Sequence, residues 1–245
     1  MGHARTDILL TAMKSQPVSM PACGRGASVA YVIDPRFPGG TSSAVAQELR
    51  VVSDLVKPRV FGISSGMFRG ETVAPQLETA LQELGLTLEW DPPKITADVV
   101  IVHNPAFLKF QNELPTRILA GRIFVVTHEN LIRPTGAEAF DVASCLGLIG
   151  NSTLALERYI APISPYNRST IRNWFGKSAQ STDWKILPED WFNICDFEMQ
   201  SPTASPLDRR GRLSRPGFEK FPRLEDLELC FHPLRRATSC WERTA

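Results

Sequence analysis

At 245 residues, 43% apolar and 22% charged, the chain has the composition of a globular protein with room for one large domain, or for one domain and part of a second. A formal net charge of +1 gives no global basis for binding nucleic acid or an acidic membrane surface, and no apolar run approaches the roughly 18 residues of a membrane span. The five cysteines (Cys23, Cys145, Cys195, Cys230, Cys240) lie far apart, with neither a CxxC pair nor zinc-site spacing, so they read as reduced thiols and the compartment as cytoplasmic.

Residues 1–27 mix charges with Pro17 and Pro21 and lack a continuous apolar core, which reads as a mobile extension and not a secretory signal. Met1–Thr6 matches a myristoylation pattern without polybasic support, and Asn151 and Asn167 match glycosylation acceptors only formally. Ser28–Ile33 is nearly continuously apolar, the texture of a strand covered on both faces in a parallel sheet. Gly39 and Gly40 then permit a turn, and Val45, Leu49 and Val52 form the stripe of a helix. Arg59–Ile63 predicts a second buried strand, followed by a loop over 64–71 and a helix through Val73, Leu77, Leu81 and Leu84 that stops before Gly85.

Leu86–Trp90 predicts an edge strand, Asp98–His103 a central one, and Arg122–His128 a fifth. Helical patterns follow over Glu138–Leu146, Ser152–Tyr159 and Asn167–Phe175. The alternation predicts an α/β sandwich with a mostly parallel sheet and right-handed crossovers, in a domain spanning 28–198. Residues 199–208 have the composition of a linker, and 209–245 read as the start of a second unit too short to bury its own core. Trp174, Trp184 and Trp191 read as core packing or interdomain contact before sugar stacking.

In such folds ligands bind at the carboxyl ends of the strands. Three polar constellations fall there: Gly39, Gly40, Thr41 and Ser42; His103 and Asn104; and His128, Glu129 and Asn130, continuing to Arg133. Their donors and acceptors suit sugar hydroxyls, and His128 or Glu129 can trade protons. The glycines also suit a simple packing turn, Asn104, Glu129 and Asn130 suit helix caps, and His103, His128 and Glu129 form a conceivable metal site without recognisable spacing. Arg212, Arg215 and Lys220 suit either a pyrophosphate or a solvated basic linker. GxGxxG, GxxxxGK[ST] and GxSxG are all absent, which removes the usual signals for NAD enzymes, P-loop ATPases and α/β hydrolases.

The loop from Phe37 to Val45, the strand end Val99–Pro105, the strand end Val125–Asn130 with Arg133 and Pro134, and the segment Gly211–Pro222 together resemble GT-B-type glycosyltransferases of the bacterial group 1 kind, over about 29–222. The resemblance implies a Rossmann-like three-layer sandwich on the acceptor side, facing a second Rossmann-like half that binds a nucleotide-sugar. It implies hexosyl transfer to a saccharide or glycan acceptor in surface or exopolysaccharide synthesis, with the nucleotide-sugar as co-substrate and no obligatory metal or other cofactor. Gly39, Gly40 and Thr41 would line the loop near the donor phosphates and acceptor, His128 would sit beside the transferred sugar, and Arg212, Arg215 and Lys220 near the diphosphate. Leu213 stands where such enzymes often carry a histidine, and the donor-binding half is missing. From about Cys230 neither strand nor helix period continues, so the expectation is a truncated glycosyltransferase with an out-of-frame tail, an enzyme by resemblance whose activity as this chain alone stays open. The other reading is a non-catalytic sugar- or acceptor-binding module, or a remnant that needs a separately encoded partner half; peripheral membrane contact stays open.

Overall fold

The first apolar run becomes strand β1 (Val29–Ile33), buried on both faces, in a computed structural model that describes residues 26–37, 39–177 and 183–194. These fall in the first of two compact units into which the chain divides, Met1–Asp196. The N-terminal extension up to residue 25, the linker and the segment 209–245 lie outside the described residues.

After β1 come α1 (Gly40–Val52), β2 (Arg59–Gly62), α2 (Pro75–Glu83), β3 (Leu88–Trp90) and β4 (Lys94–His103). A 3₁₀ turn (Pro105–Leu108), β5 (Arg117–Thr127), α3 (Val142–Ser152), β6 (Thr153–Pro162), α4 (Pro165–Lys177) and β7 (Lys185–Ile186) follow. The seven strands form one sheet in the order β3-β2-β1-β4-β5-β6-β7, every neighbouring pair parallel. The fold is Rossmann-like α/β, with β3 at one edge and β4 at the centre.

Because side chains alternate across a strand, the near-continuous apolar runs feed two cores. Val29, Tyr31 and Ile33, with Val99, Ile101, Phe124 and Val126, pack under Val45, Leu49 and Val52 of α1 and Leu77 and Leu81 of α2. On the other face Ala30, Val32, Val100, Val102, Ile123 and Val125 pack against Val142, Cys145, Leu146 and Ile149 of α3 and Ile171 and Trp174 of α4. Trp184 joins the second core and Trp191 the first, which makes the tryptophans packing residues. Among the described residues no helix is long and apolar enough to cross a membrane.

Four elements differ from the sequence reading. The segment expected as a helix over 152–159 is strand β6, paired with β5 from Ile118↔Thr153 to Thr127↔Pro162. Its Leu, Ala, Glu and Arg favour helix locally, but the backbone ladder offered by β5 overrides that preference, leaving Leu154 and Leu156 72% and 75% exposed. Helix α3 begins at Val142 and not near Glu138, because Ile132 and Glu138 pair across a small hairpin and the Asp141 side chain caps the helix by accepting from the Ser144 amide at 2.9 Å. Strands β4 and β5 start earlier than expected, at Lys94 and Arg117, where alternating exposure in β4 and a half-buried stretch in β5 replace continuous burial. A β-carbon at Gly121 in this extension would stand 2.8 Å from the Asp98 carbonyl oxygen, so the close approach of β5 to β4 requires glycine.

Candidate functional site at the strand-order switch

The chain leaves β1 for β2 and β3 on one side, then returns past β1 to β4 and continues outward to β7. The order therefore reverses between β1 and β4, and it is beyond the carboxyl ends at such a reversal that open α/β sheets bind ligands. His103 and Asn104 end β4 there, His128 follows β5, and the loop after β1 carries Asp34 to Gly39.

That loop is clamped from within. All five guanidinium N–H groups of Arg36 have an acceptor: Nε donates to Asp34 Oδ1 at 2.8 Å, Nη2 to Asp34 Oδ2 and the Ser65 carbonyl, and Nη1 to the carbonyls of Phe68 and Gly70. The Ser65 hydroxyl adds a bond to Asp34 Oδ2, and Phe68 and Trp90 face the guanidinium carbon at 5.7 and 5.9 Å. The hydrogen bond to Asp34 raises the Arg36 pKa above its ordinary value. The clamp ties the β1–α1 loop to the loop after β2 and so fixes the start of α1.

Gly39 precedes α1 at φ 107° and ψ −139°, a backbone conformation that disfavours a β-carbon even though none would meet a neighbour there. The N-cap position is itself a glycine, so no cap side chain accepts from the leading N–H groups of this first turn. Gly40 is exposed and Thr41 buried at this end, while the buried Ser42 hydroxyl donates to the Phe37 carbonyl at 2.6 Å and braces the turn.

The two strand-end histidines meet. The register pairs Ile101 with Phe124 and His103 with Val126, so His128, two residues on, falls on the same face one step further out. His103 Nδ1 lies 3.0 Å from His128 Nε2, with ring centroids 5.3 Å apart. His103 is fully buried and stacked on Tyr31 at 5.7 Å with 8° between the planes, whereas His128 is half-buried. Glu48, fully buried on α1, closes the cluster: its Oε1 accepts from the Tyr31 hydroxyl and its Oε2 from the Trp191 indole N–H, both at 3.1 Å, and Oε2 lies 3.9 Å from His103 Nε2.

Asn104 stands beside them in the left-handed region, φ 57° and ψ 78°, only 3% exposed. Its Oδ1 finds no hydrogen-bond partner among the described residues, an arrangement that costs stability and leaves an acceptor for a ligand's N–H or O–H. The segment after β5 is held by buried Asn167 of α4, whose Nδ2 donates to the Glu129 carbonyl and Asn130 Oδ1, and whose Oδ1 accepts from the Thr127 hydroxyl. Glu129 and Asn130 are half-buried. Arg133 is exposed within the hairpin and donates to the Ala139 carbonyl. Arg212, Arg215 and Lys220 lie outside the described residues.

Comparison with protein-family models, curated proteins and solved structures finds no match. The site's chemistry therefore rests on these side chains. Among the described residues no group of three His, Cys, Asp or Glu side chains could hold a metal ion. Cys145 belongs to the core under α3, and burial pushes its thiol up to about 12, so it is no nucleophile.

Four site residues escape the sequence reading: Tyr31, Glu48, Asn167 and Trp191. Glu48 had a signal, since it occupies the same helical stripe as Val45, Leu49 and Val52, where a carboxylate is out of place. Trp191 had none. It reaches the cluster through tertiary ties, with Arg168 donating to Asp190 at 2.7 Å and to the Leu187 carbonyl.

Proposed function

We propose that the carboxyl ends of β1, β4 and β5 line a crevice that is the acceptor side of a sugar-transfer site, and that the chain is a glycosyltransferase component acting on a nucleotide-sugar and a saccharide or glycan acceptor. The observation that carries the reading is the meeting of His103 and His128 at the switch point, next to the unsatisfied acceptor of Asn104. A sugar ring presents several hydroxyls that both donate and accept, and a group of this kind answers them with an imidazole, an amide and a carboxylate in Glu129.

In this reading the acceptor oxygen forms a bond to the anomeric carbon as the bond from that carbon to the diphosphate oxygen breaks. His128 takes the hydroxyl proton. Negative charge grows on the departing nucleoside diphosphate, which the start of α1 would stabilise. The motif order from Phe37 to Pro222 supports this assignment, and surface or exopolysaccharide synthesis in the cytoplasm is the setting it suggests.

Incubation with a panel of nucleotide-sugars and saccharide acceptors tests it, with release of nucleoside diphosphate as the readout. Turnover that falls on the order of a hundredfold or more in His128→Ala is expected, the size of a lost general base. Acceptor binding without donor binding or turnover would mark a binding module instead.

A further inference from the structure

A carboxylate withdrawn from water is costly unless donors and a balancing charge surround it. Glu48 is wholly buried on α1, with Oε1 accepting a hydrogen bond from Tyr31 and Oε2 one from Trp191. The imidazole of His103 lies close enough, at 3.9 Å, to carry the balancing charge when protonated. Its other nitrogen is in hydrogen-bond contact with His128.

Across a contact between two neutral imidazoles one nitrogen donates and the other accepts. The carboxylate charge 3.9 Å from Nε2 of His103 favours the proton on that nitrogen, which leaves Nδ1 to accept from the Nε2–H of His128. Tyr31 from β1, Glu48 from α1 and His128 after β5 face His103, and the indole of Trp191 meets the same Glu48 carboxylate.

We infer that Glu48, His103 and His128 form a proton relay running from the core to the crevice. A proton taken up at Nδ1 of His128 allows its Nε2 proton to pass to Nδ1 of His103, and the imidazolium so formed lies against the Glu48 carboxylate. One N–H bond forms at each ring, one breaks at His128, and the system gains a single proton. Glu48 stays ionised throughout. His128 is the end that meets a ligand, while His103 and Glu48 are positioning residues that determine where the proton rests. That the incoming proton comes from a sugar hydroxyl rests on the glycosyltransferase reading; the relay does not.

Nuclear magnetic resonance of the intact chain carrying ¹⁵N-labelled histidine reads both tautomer and titration. The expected result in the wild-type protein is His103 as the Nε2–H tautomer, with the two rings responding together at one midpoint. In Glu48→Gln that midpoint falls by about one pH unit, a tenfold loss of proton affinity, because an opposite charge beside the imidazolium is gone. His103 found as the Nδ1–H tautomer in the wild type overturns the relay without any variant. So does an unchanged midpoint in folded Glu48→Gln. Absence of sugar transfer by the wild-type chain would end the glycosyltransferase reading while leaving these spectra, and the relay, in place.

Discussion

Two polar clusters lie buried at the same end of the sheet, one on each side of the strand-order switch, and they are built on opposite principles. Around Asp34 and Arg36 every guanidinium donor is committed, the charges are fixed, and no group has an alternative role. Around Glu48, His103 and His128 the donors and acceptors can exchange identity, because an imidazole nitrogen gives or accepts according to its proton. The first arrangement immobilises a backbone loop. The second has proton traffic built into its contacts, and the rigid loop beside it keeps the crevice in shape while a proton moves.

The largest effect that would probe this contrast is on the rigid side. Arg36→Met leaves the buried Asp34 carboxylate without its cation, and a loss of about 3–5 kcal/mol is expected in urea unfolding. Trp191→Phe keeps an aromatic ring but removes one donor from Glu48, and should cost less, about 1–3 kcal/mol. If it costs as much as Arg36→Met, the two clusters are equally rigid and the distinction collapses.

The smallest effect belongs to a carboxylate in neither cluster. Asp141 is exposed at the start of α3, and hydrogen bonds from the Ser144 amide and hydroxyl hold its pKa below the ordinary 3.8. Its folded value is the lower one, so its contribution is complete above the unfolded value and disappears as pH falls through the folded value. Asp141→Ala should therefore cost about 1 kcal/mol at pH 7 and progressively less below pH about 4, as followed by urea unfolding across that range. A cost that persists in acid would mean that the hydroxyl and amide of Ser144 do not act through the ionised cap.

Much of this architecture is legible in the chain because parallel strands buried on both faces leave unmixed apolar runs, as in Val29–Ile33 and Val99–Val102. Strand β6 is not, since Leu154, Ala155, Leu156 and Glu157 favour a helix and only the presence of β5 decides otherwise. Strand β7, two residues long, is too short for any period to register. At the site, His103 and His128 are legible as polar residues ending apolar strands, and the sheet register explains why they meet. Their partners are harder to read. A glutamate on an amphipathic helix usually faces water, and Glu48 faces inward only because Tyr31 and Trp191 supply donors from a strand and a distant segment.

That last contact spans 143 residues of chain. Closing so long a loop is entropically costly and comes after the local helices and hairpin have formed. During synthesis the carboxylate beneath the histidines thus waits for Trp191 to leave the ribosome, long after Glu48, His103 and His128 have done so. The Glu48 carboxylate thus receives one of its donors from a segment made much later than the helix that carries it.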